Sequence, residues 1–310
     1  MENKPKVEIL MATYNGSKYV AEQIDSILNQ TYENYHLTIS DDASTDNTVE
    51  IIDSYVIAYP SKITKVVSNI HFGNARDHFF WLMKKCNENY IMFSDQDDVW
   101  NKNKIEISMN ELLKLEEKNT KDTPLLVFTD QTVVDSNLNI ISKSMMTYQK
   151  QDTTSIDYQK LLFQNIVTGC TVCTNKALVE IALKFKDSNS IIMHDWWLAI
   201  VASRFGEVAY INKSTMLYRQ HVGNSVGAQD VKSARYKISV LKNIDILKDK
   251  IQKKKKQAEL FEKVYSNDLS NEDKQFLNHF VKRRSGMKFY LEHKNLIYGL
   301  NRFLGFMILG

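Results

Sequence analysis

The N-terminal third of the chain alternates between two hydrophobic periods, and that alternation restricts it to few folds. Residues 7–12, 37–39, 63–67 and 90–93 are short apolar or β-branched runs suited to buried strands. Between them the spacing lengthens. Val20, Ile24, Ile27 and Leu28 fall at i, i+4, i+7 and i+8, with Ser17 placed to cap that helix. Val49, Ile52 and Val56 share a second helical face, and residues 75–85 would bury Phe79, Phe80 and Met83 on a third. Ile105, Met109, Leu112 and Leu113 mark a fourth. Strand–helix alternation of this kind predicts an α/β domain, a parallel sheet covered by helices, with ligands at the carboxyl ends of the strands. Thr13, Asp42 and Asp95 all lie at such ends, so one crevice should gather them.

The fourth strand runs into Phe93-Ser94-Asp95-Gln96-Asp97-Asp98-Val99-Trp100, three carboxylates within four positions. Carboxylates crowded at a buried strand end repel one another unless a cation is present. An Asp-x-Asp pair suits Mg²⁺ or Mn²⁺, which take hard oxygen ligands and leave positions for substrate phosphates. The structural alternative is a polar turn in which Asp98 caps the next helix.

Three further segments keep a fixed order around that run. They are Val7-Glu8-Ile9-Leu10-Met11-Ala12-Thr13-Tyr14-Asn15-Gly16, then Leu37-Thr38-Ile39-Ser40-Asp41-Asp42-Ala43-Ser44-Thr45-Asp46-Asn47-Thr48, and Ile192-Met193-His194-Asp195-Trp196-Trp197. Over residues 5–225 the chain resembles the family 2 glycosyltransferases, inverting nucleotide-sugar enzymes of the Rossmann-like GT-A fold. The Asp-Gln-Asp-Asp-Val-Trp variant and Tyr218-Arg219-Gln220-His221-Val222-Gly223-Asn224-Ser225 resemble the branch that builds rhamnose-rich bacterial cell-wall polysaccharides.

The resemblance implies roles residue by residue. Asp97 would be the metal ligand, and Asp95 would contact the ribose or help the metal. His221 would supply a C-terminal metal or phosphate contact. Asp42 would accept the imide N–H of uracil or thymine, through a charge-assisted bond, and Thr13 and Asn15 would lie against the nucleotide. Arg76 would help hold it, although Asp77 stands where many relatives carry Asn. Asp195 would be the catalytic base. Its helix start lowers a carboxylate pKa, while neighbouring indoles raise it. Trp196 or Trp197 would stack on the acceptor sugar. The implied donor is a nucleotide-diphosphate sugar such as dTDP-L-rhamnose, and the implied acceptor is a lipid-linked saccharide.

Composition agrees with a globular protein. Of 310 residues, 43% are hydrophobic and 25% charged, enough for one large domain and a smaller appendage. A net charge of +3 demands no nucleic-acid partner. Three cysteines indicate a reducing compartment and no disulfide framework. Cys170-Thr171-Val172-Cys173 lacks the further soft ligands a zinc site needs and sits in a strand-like run over residues 166–173. Further strands are expected at 125–129, 208–211 and 216–218, and helices at 175–186 and 196–204.

Beyond residue 228 the pattern becomes helical and lysine-rich, so the expected division is 1–227 for the transferase domain and 228–310 for a C-terminal helical region. The lysines at 248, 250 and 253–256 and the apolar run 295–310 suggest association with a membrane surface. That run is too short to span. No apolar run precedes Pro5, so a cytoplasmic enzyme on the inner membrane face is expected. Two other readings remain. A nucleotidyltransferase would open with a Gly-rich phosphate loop, which residues 11–16 do not form. An inactive scaffold would have no need of Asp95, Asp97 and Asp195 together.

Overall fold

The computed structural model describes residues 4–154, 156–221 and 244–282. The alternation resolves into β1 (Val7–Thr13), α1 (Val20–Leu28), β2 (Tyr35–Asp41), α2 (Thr48–Ala58), β3 (Ile63–Lys65), α3 (Ala75–Lys85) and β4 (Tyr90–Ser94). Then follow β5 (Val99–Trp100), α4 (Lys104–Lys118), β6 (Leu125–Val134), β7 (Ile140–Ser142), α5 (Met145–Tyr148) and α6 (Tyr158–Phe163). The chain continues with β8 (Val172–Asn175), α7 (Lys176–Ala182), α8 (His194–Phe205), β9 (Glu207–Arg219), α9 (Ile244–Val264) and α10 (Asn271–Lys282).

One sheet runs in the order β3-β2-β1-β4-β8-β6-β9-β5, with β7 paired to β6. The parallel sheet expected from the alternation holds for β3, β2, β1 and β4. Beyond that the sheet is mixed, because β8 runs antiparallel to both β4 and β6. Register explains the crevice: Thr13 lies opposite Asp41, and Met11 opposite Ser94. The polar ends of β1, β2 and β4 therefore open at one edge.

Two apolar layers cover the sheet. Val20, Ile24 and Ile27 of α1 pack with Ile105, Met109 and Leu112 of α4 on one face. On the other, Phe79 and Phe80 of α3 join most of α8, and Ile251, Phe261 and Phe280 of the last two helices extend the same cluster. The boundary expected at 227/228 and the apolar run 295–310 both lie outside the described residues. Among those described, no helix is long and apolar enough to cross a membrane.

Several local expectations change. Ser17 does not cap α1; its N–H donates to Asp46 Oδ2 at 3.1 Å, and the helix begins at Val20 without a side-chain cap. Asp98 does not cap α4, which starts six residues later. Residues 166–173 are not one strand: Gly169–Thr171 forms a 3₁₀ turn and β8 begins at Val172. The two short strands expected after residue 207 are one long strand, β9.

Candidate active site

A cavity of about 620 Å³ joins the ends of β1, β2 and β4 to the start of α8. Its wall includes Thr13, Asp42, Asp95, Asp97, Asp195 and Trp196. It also holds residues that sequence reasoning assigned no role, among them Gln96, Gln131, Asn165 and His194.

The first wall is a set of loops locked by carboxylates. Thr13 Oγ1 donates to Asp41 Oδ2 at 2.7 Å, and the Asp42 N–H donates to the Thr13 carbonyl at 2.9 Å. Asp42 receives the Phe72 N–H at 2.7 Å and the Gly73 N–H at 2.8 Å, with His71 Nδ1 at 3.2 Å. Gly73 adopts φ +67°, which favours glycine. Oδ1 meets both the Phe72 N–H and His71, while Oδ2 accepts the Gly73 N–H alone and keeps acceptor capacity toward the cavity. Asn15, at φ 47°, is turned into the loops: its N–H donates to Ser44 Oγ and its Oδ1 accepts from Thr45 N. It is not part of the cavity wall, contrary to expectation.

Arg76 also departs from expectation. Its guanidinium binds both oxygens of Asp77, at 2.9 and 2.7 Å, and donates to the Ile191 carbonyl at 2.8 Å. Asp77 in turn accepts from Ser188 Oγ at 2.6 Å. This arginine fastens α3 to the segment leading into α8 and does not line the cavity.

Gln96 was missed. Its amide closes a two-way clamp on the Tyr14 backbone, accepting from the N–H and donating to the carbonyl, both at 2.9 Å. A Cβ on Gly16 would stand 2.2 Å from Gln96 Oε1, so only glycine permits the clamp. The Asn15-Gly16 turn beside an Asp-Gln-Asp run was the only available signal, and it does not reveal who meets whom.

The acidic run presents three carboxylates with different partners. Burial, then the charges of Asp97 and Asp195, push Asp95 up to about 7. Asp97 Oδ2 meets His221 Nε2 at 2.7 Å. Asp98 is fully buried; Oδ1 accepts the Arg219 N–H at 3.2 Å, while Oδ2 has no hydrogen-bond partner among the described residues. Burial and its acidic neighbours raise the Asp98 pKa well above the carboxylate range. Arg219 binds this loop from behind: Nε donates to the Asp97 carbonyl at 2.8 Å, Nη1 to the Ser136 carbonyl at 2.9 Å, and Nη2 pairs with Glu22.

Ligand atoms of Asp95, Asp98 and Cys170 lie within 4.8 Å of one another. The Cys170 thiol is pushed well up by burial, so it is a poor thiolate and the oxygens are the credible donors. The crowded carboxylates of Asp95 and Asp97 on the cavity wall, with the His221 imidazole on Asp97, fit a hard divalent cation. Among the described residues no zinc set forms around Cys173, which is buried and free like Cys170.

The second wall carries Asp195 in the first turn of α8. It is 8% exposed and accepts the Gly169 N–H at 2.8 Å and the Trp196 N–H. Burial outweighs those bonds and raises its pKa to about 7. Of the two effects weighed from sequence, desolvation wins. Asn165 Nδ2 stands 3.4 Å from Oδ1. His194 is buried against the Phe79 ring, centroids 4.2 Å apart, and neither ring nitrogen has a hydrogen-bond partner among the described residues. Burial lowers its pKa to about 3, so it is neutral. A Cβ on Gly169 would meet its Nε2 at 2.8 Å.

The tryptophans separate. Trp196 lines the cavity and anchors its indole N–H on the Leu161 carbonyl at 2.6 Å. Trp197 is fully buried, bonded to the Ala182 carbonyl and packed on Phe185, Phe261 and Tyr265. It is a core residue and has no access to an acceptor.

Comparison with known proteins agrees with this geometry. A family described as glycosyl transferase family 2 matches residues 8–178, which span β1 to β8 but stop short of Asp195. The dTDP-rhamnosyl transferase RfbG of Shigella flexneri is 37% identical over 245 residues, 73% of this chain and 77% of its own length. The UDP-Glc:alpha-D-GlcNAc-diphosphoundecaprenol beta-1,3-glucosyltransferase WfgD of Escherichia coli is 29% identical over 175 residues, 56% of this chain and 62% of its own. A mannosyltransferase from Pyrobaculum calidifontis, solved with GDP-Man and Mn²⁺, superposes with a TM-score of 0.57 at 15% identity. That match covers 95% of this chain and 72% of the other. Staphylococcus aureus TarS 1–349 with UDP-GlcNAc gives 0.53 at 14%, covering 94% and 82%. At such identities the two structures speak for the GT-A fold alone. The matched segment spans more than half the chain, and the rhamnosyl transferase relative covers more than two thirds of it, and on that ground the chain belongs to glycosyl transferase family 2 and is a glycosyltransferase.

Proposed function

We propose that the chain transfers L-rhamnose from a deoxythymidine-diphosphate donor, with inversion, to a lipid-linked saccharide acceptor. The single observation that carries the reaction type is Asp195. It is a desolvated carboxylate with a pKa near neutrality, in the same cavity as Asp95 and Asp97. A group poised near the working pH is an efficient general base. One such carboxylate, distinct from the crowded acidic run, suits a single displacement at the anomeric carbon. The rhamnosyl choice rests on the likeness to RfbG. The lipid-linked acceptor rests on the name of WfgD.

Asp97 and His221, with Asp95, would hold Mn²⁺ or Mg²⁺. A bound divalent ion offsets the charge that builds on a departing diphosphate. Asp42, fixed by two backbone N–H groups, would read the imide edge of the base, and Thr13 would set the carboxylate loop beneath it. That edge is common to thymine and uracil, so donors must be compared side by side. Trp196 would face the acceptor sugar. The Gly169 N–H and the Asn165 amide would keep Asp195 oriented. The acceptor would bring the enzyme to the inner face of the membrane as a peripheral protein, with residues 228–310 as the attaching region.

The test is hydrolysis and transfer with dTDP-L-rhamnose, UDP-glucose and UDP-GlcNAc, each with Mn²⁺, Mg²⁺ or EDTA. Product configuration is read by NMR. Turnover of dTDP-L-rhamnose above the UDP-sugars with an inverted product supports the proposal. Retained configuration, or full activity in EDTA, overturns it.

A further inference from the structure

Two helices grip the chain just before Asp195, and they do so through a single peptide group. Arg76 Nη1, at the start of α3, donates to the Ile191 carbonyl at 2.8 Å. Gln257 Oε1, on α9, accepts the Ile192 N–H at 2.8 Å. That carbonyl and that N–H belong to one trans peptide, so they point in opposite directions and the two side chains approach from opposite sides. One turn along each helix an aromatic ring contacts α8 itself. Phe79 of α3 packs on His194 with centroids 4.2 Å apart, and Phe261 of α9 packs on Trp197 at 5.9 Å. These contacts bracket Asp195 in the sequence, with 191, 192 and 194 before it and 197 after it.

Each grip has its own support. Arg76 binds both oxygens of Asp77, which also accepts from Asn74 Nδ2 at 2.8 Å and from Ser188 Oγ at 2.6 Å. Burial opposes ionisation of Asp77, but those bonds bring its pKa down to about 2, so the pair is charged at neutral pH. The Ile191 N–H closes a turn on the Ser188 carbonyl at 2.8 Å, which ties the segment to the same pair. Gln257 is fully buried, and its Nε2 has no hydrogen-bond partner among the described residues. A leucine would fill that volume without leaving a buried donor unpaired. What the amide supplies, and leucine would not, is the acceptor for Ile192. The first turn of α8 has no cap of its own, because Met193 precedes it without a side-chain hydrogen bond. Ile192 and Met193 line the cavity, so a rotation of this peptide would move the wall and Asp195 together.

We propose that Arg76 and Gln257 are positioning residues for the general base, acting through the Ile191–Ile192 peptide to hold the start of α8 where Asp195 can meet the acceptor hydroxyl. This deepens the reading of Asp195 as the base and rests on it. Neither residue is part of the cavity wall, so neither needs to touch substrate. A base must stand within hydrogen-bond reach of the proton it takes. A misplacement of about 1 Å can cost on the order of 10²-fold in rate. Since α9 lies beyond residues 8–178, half of this clamp comes from outside the segment matched by the family.

The test variants are Gln257→Leu and Arg76→Lys, one for each side of the peptide. Arg76→Lys keeps a charge beside Asp77 but loses the fork that serves Asp77 and Ile191 at once. The control is Tyr265→Phe, which removes a 2.9 Å bond from the end of α9 to the Ile181 carbonyl and leaves the peptide alone. Transfer is measured from dTDP-L-rhamnose to undecyl N-acetylglucosaminyl diphosphate with Mn²⁺, donor affinity by calorimetry with dTDP, and stability in urea. Each test variant should lose about tenfold or more in kcat while keeping donor affinity and acceptor KM. Its kcat–pH profile should level off about one unit below the wild-type value near 7, because a loosened helix start admits water to Asp195. Tyr265→Phe should lower stability alone. Unchanged kcat, an unmoved profile, or a loss of kcat that the control shares overturns the proposal. Either variant decides the matter should the other fail to fold. A second readout needs no substrate. Between pH 4 and pH 8 the stability difference between Asp195→Asn and its parent should vary less in either test background than in the wild type. Equal variation overturns the proposal. Reduced variation in a chain that transfers none of the tested sugars would count against the proposed donor and acceptor and not against the clamp.

Discussion

The loop at residues 41–48 and the start of α8 both present carboxylates, and they treat them in opposite ways. Asp46 accepts the Ser17 and Thr48 N–H groups at 3.1 Å and the Thr48 hydroxyl. Some burial opposes ionisation, but those bonds win and bring its pKa down to about 2. Asp195 also accepts two backbone N–H groups, yet it sits near 7 because burial wins. The number of donors is similar. What differs is access to solvent, and that separates a carboxylate that fastens loops from one that can take a proton at neutral pH.

The largest test of this contrast is Asp195→Asn. The amide keeps the shape but cannot accept a proton, so the rate should fall by roughly 10²–10⁴. Donor affinity, measured by calorimetry with Mn²⁺, should barely change. Wild-type kcat/KM should rise with pH and level off above about 7, as the base ionises. Near-normal turnover by the variant would erase the distinction between the two walls.

Next comes the pair Trp196 and Trp197, which asks whether the second wall is supported from behind. Trp197→Ala removes a fully buried indole and should cost about 3–5 kcal/mol in denaturant unfolding. Trp196→Ala should cost much less stability and instead raise the KM for acceptor. Equal losses of stability would mean that Trp196 is core as well.

How far the sequence went follows the same division. Strand ends, helix faces and the meeting of Thr13, Asp42 and Asp95 were legible because period and register are local properties. Which of two adjacent tryptophans faces the cavity was not, because α8 is apolar nearly all round and its pattern marks no outer face. Arg76 misled for a related reason. A guanidinium reads as a ligand contact until its partners are seen, and Asp77 beside it was the signal that it was already paired. Gln96 and His194 were invisible because their roles depend on glycines 16 and 169 brought close by folding. The mixed half of the sheet escaped because Gly169–Thr171 turns a β-branched run into a 3₁₀ bend.

A smaller effect appears in stability against pH. The folded-state pKa of Asp195 is raised from 3.8 to about 7, so between those values the native state binds more protons than the unfolded chain. Its contribution is fully present below about pH 4 and is lost as pH rises through 7. The ceiling is about 4 kcal/mol at 1.36 kcal/mol per unit. The stability of Asp195→Asn relative to wild type should therefore climb from pH 4 to pH 8 in urea titrations. A flat difference would place Asp195 in solvent contact and weaken its case as a base.

The smallest expected effect probes the first wall. Asp46→Asn retains one oxygen acceptor where the carboxylate had two, and it loses the charge that strengthens each bond. A net cost of about 1 kcal/mol is expected, the usual worth of a hydrogen bond in a partly exposed setting. The sign of its pH dependence is opposite to that of Asp195. A lowered folded-state pKa gives stability that is present above about pH 4 and lost as pH falls toward 2. The variant and the wild type should therefore converge in acid and separate at neutral pH. Transfer rate should change little, because Asp46 fastens Ser17 and Thr48 and is not part of the cavity wall. A loss of rate comparable to that of Asp195→Asn, without a loss of stability, would show that hydrogen-bonded and desolvated carboxylates share the chemistry.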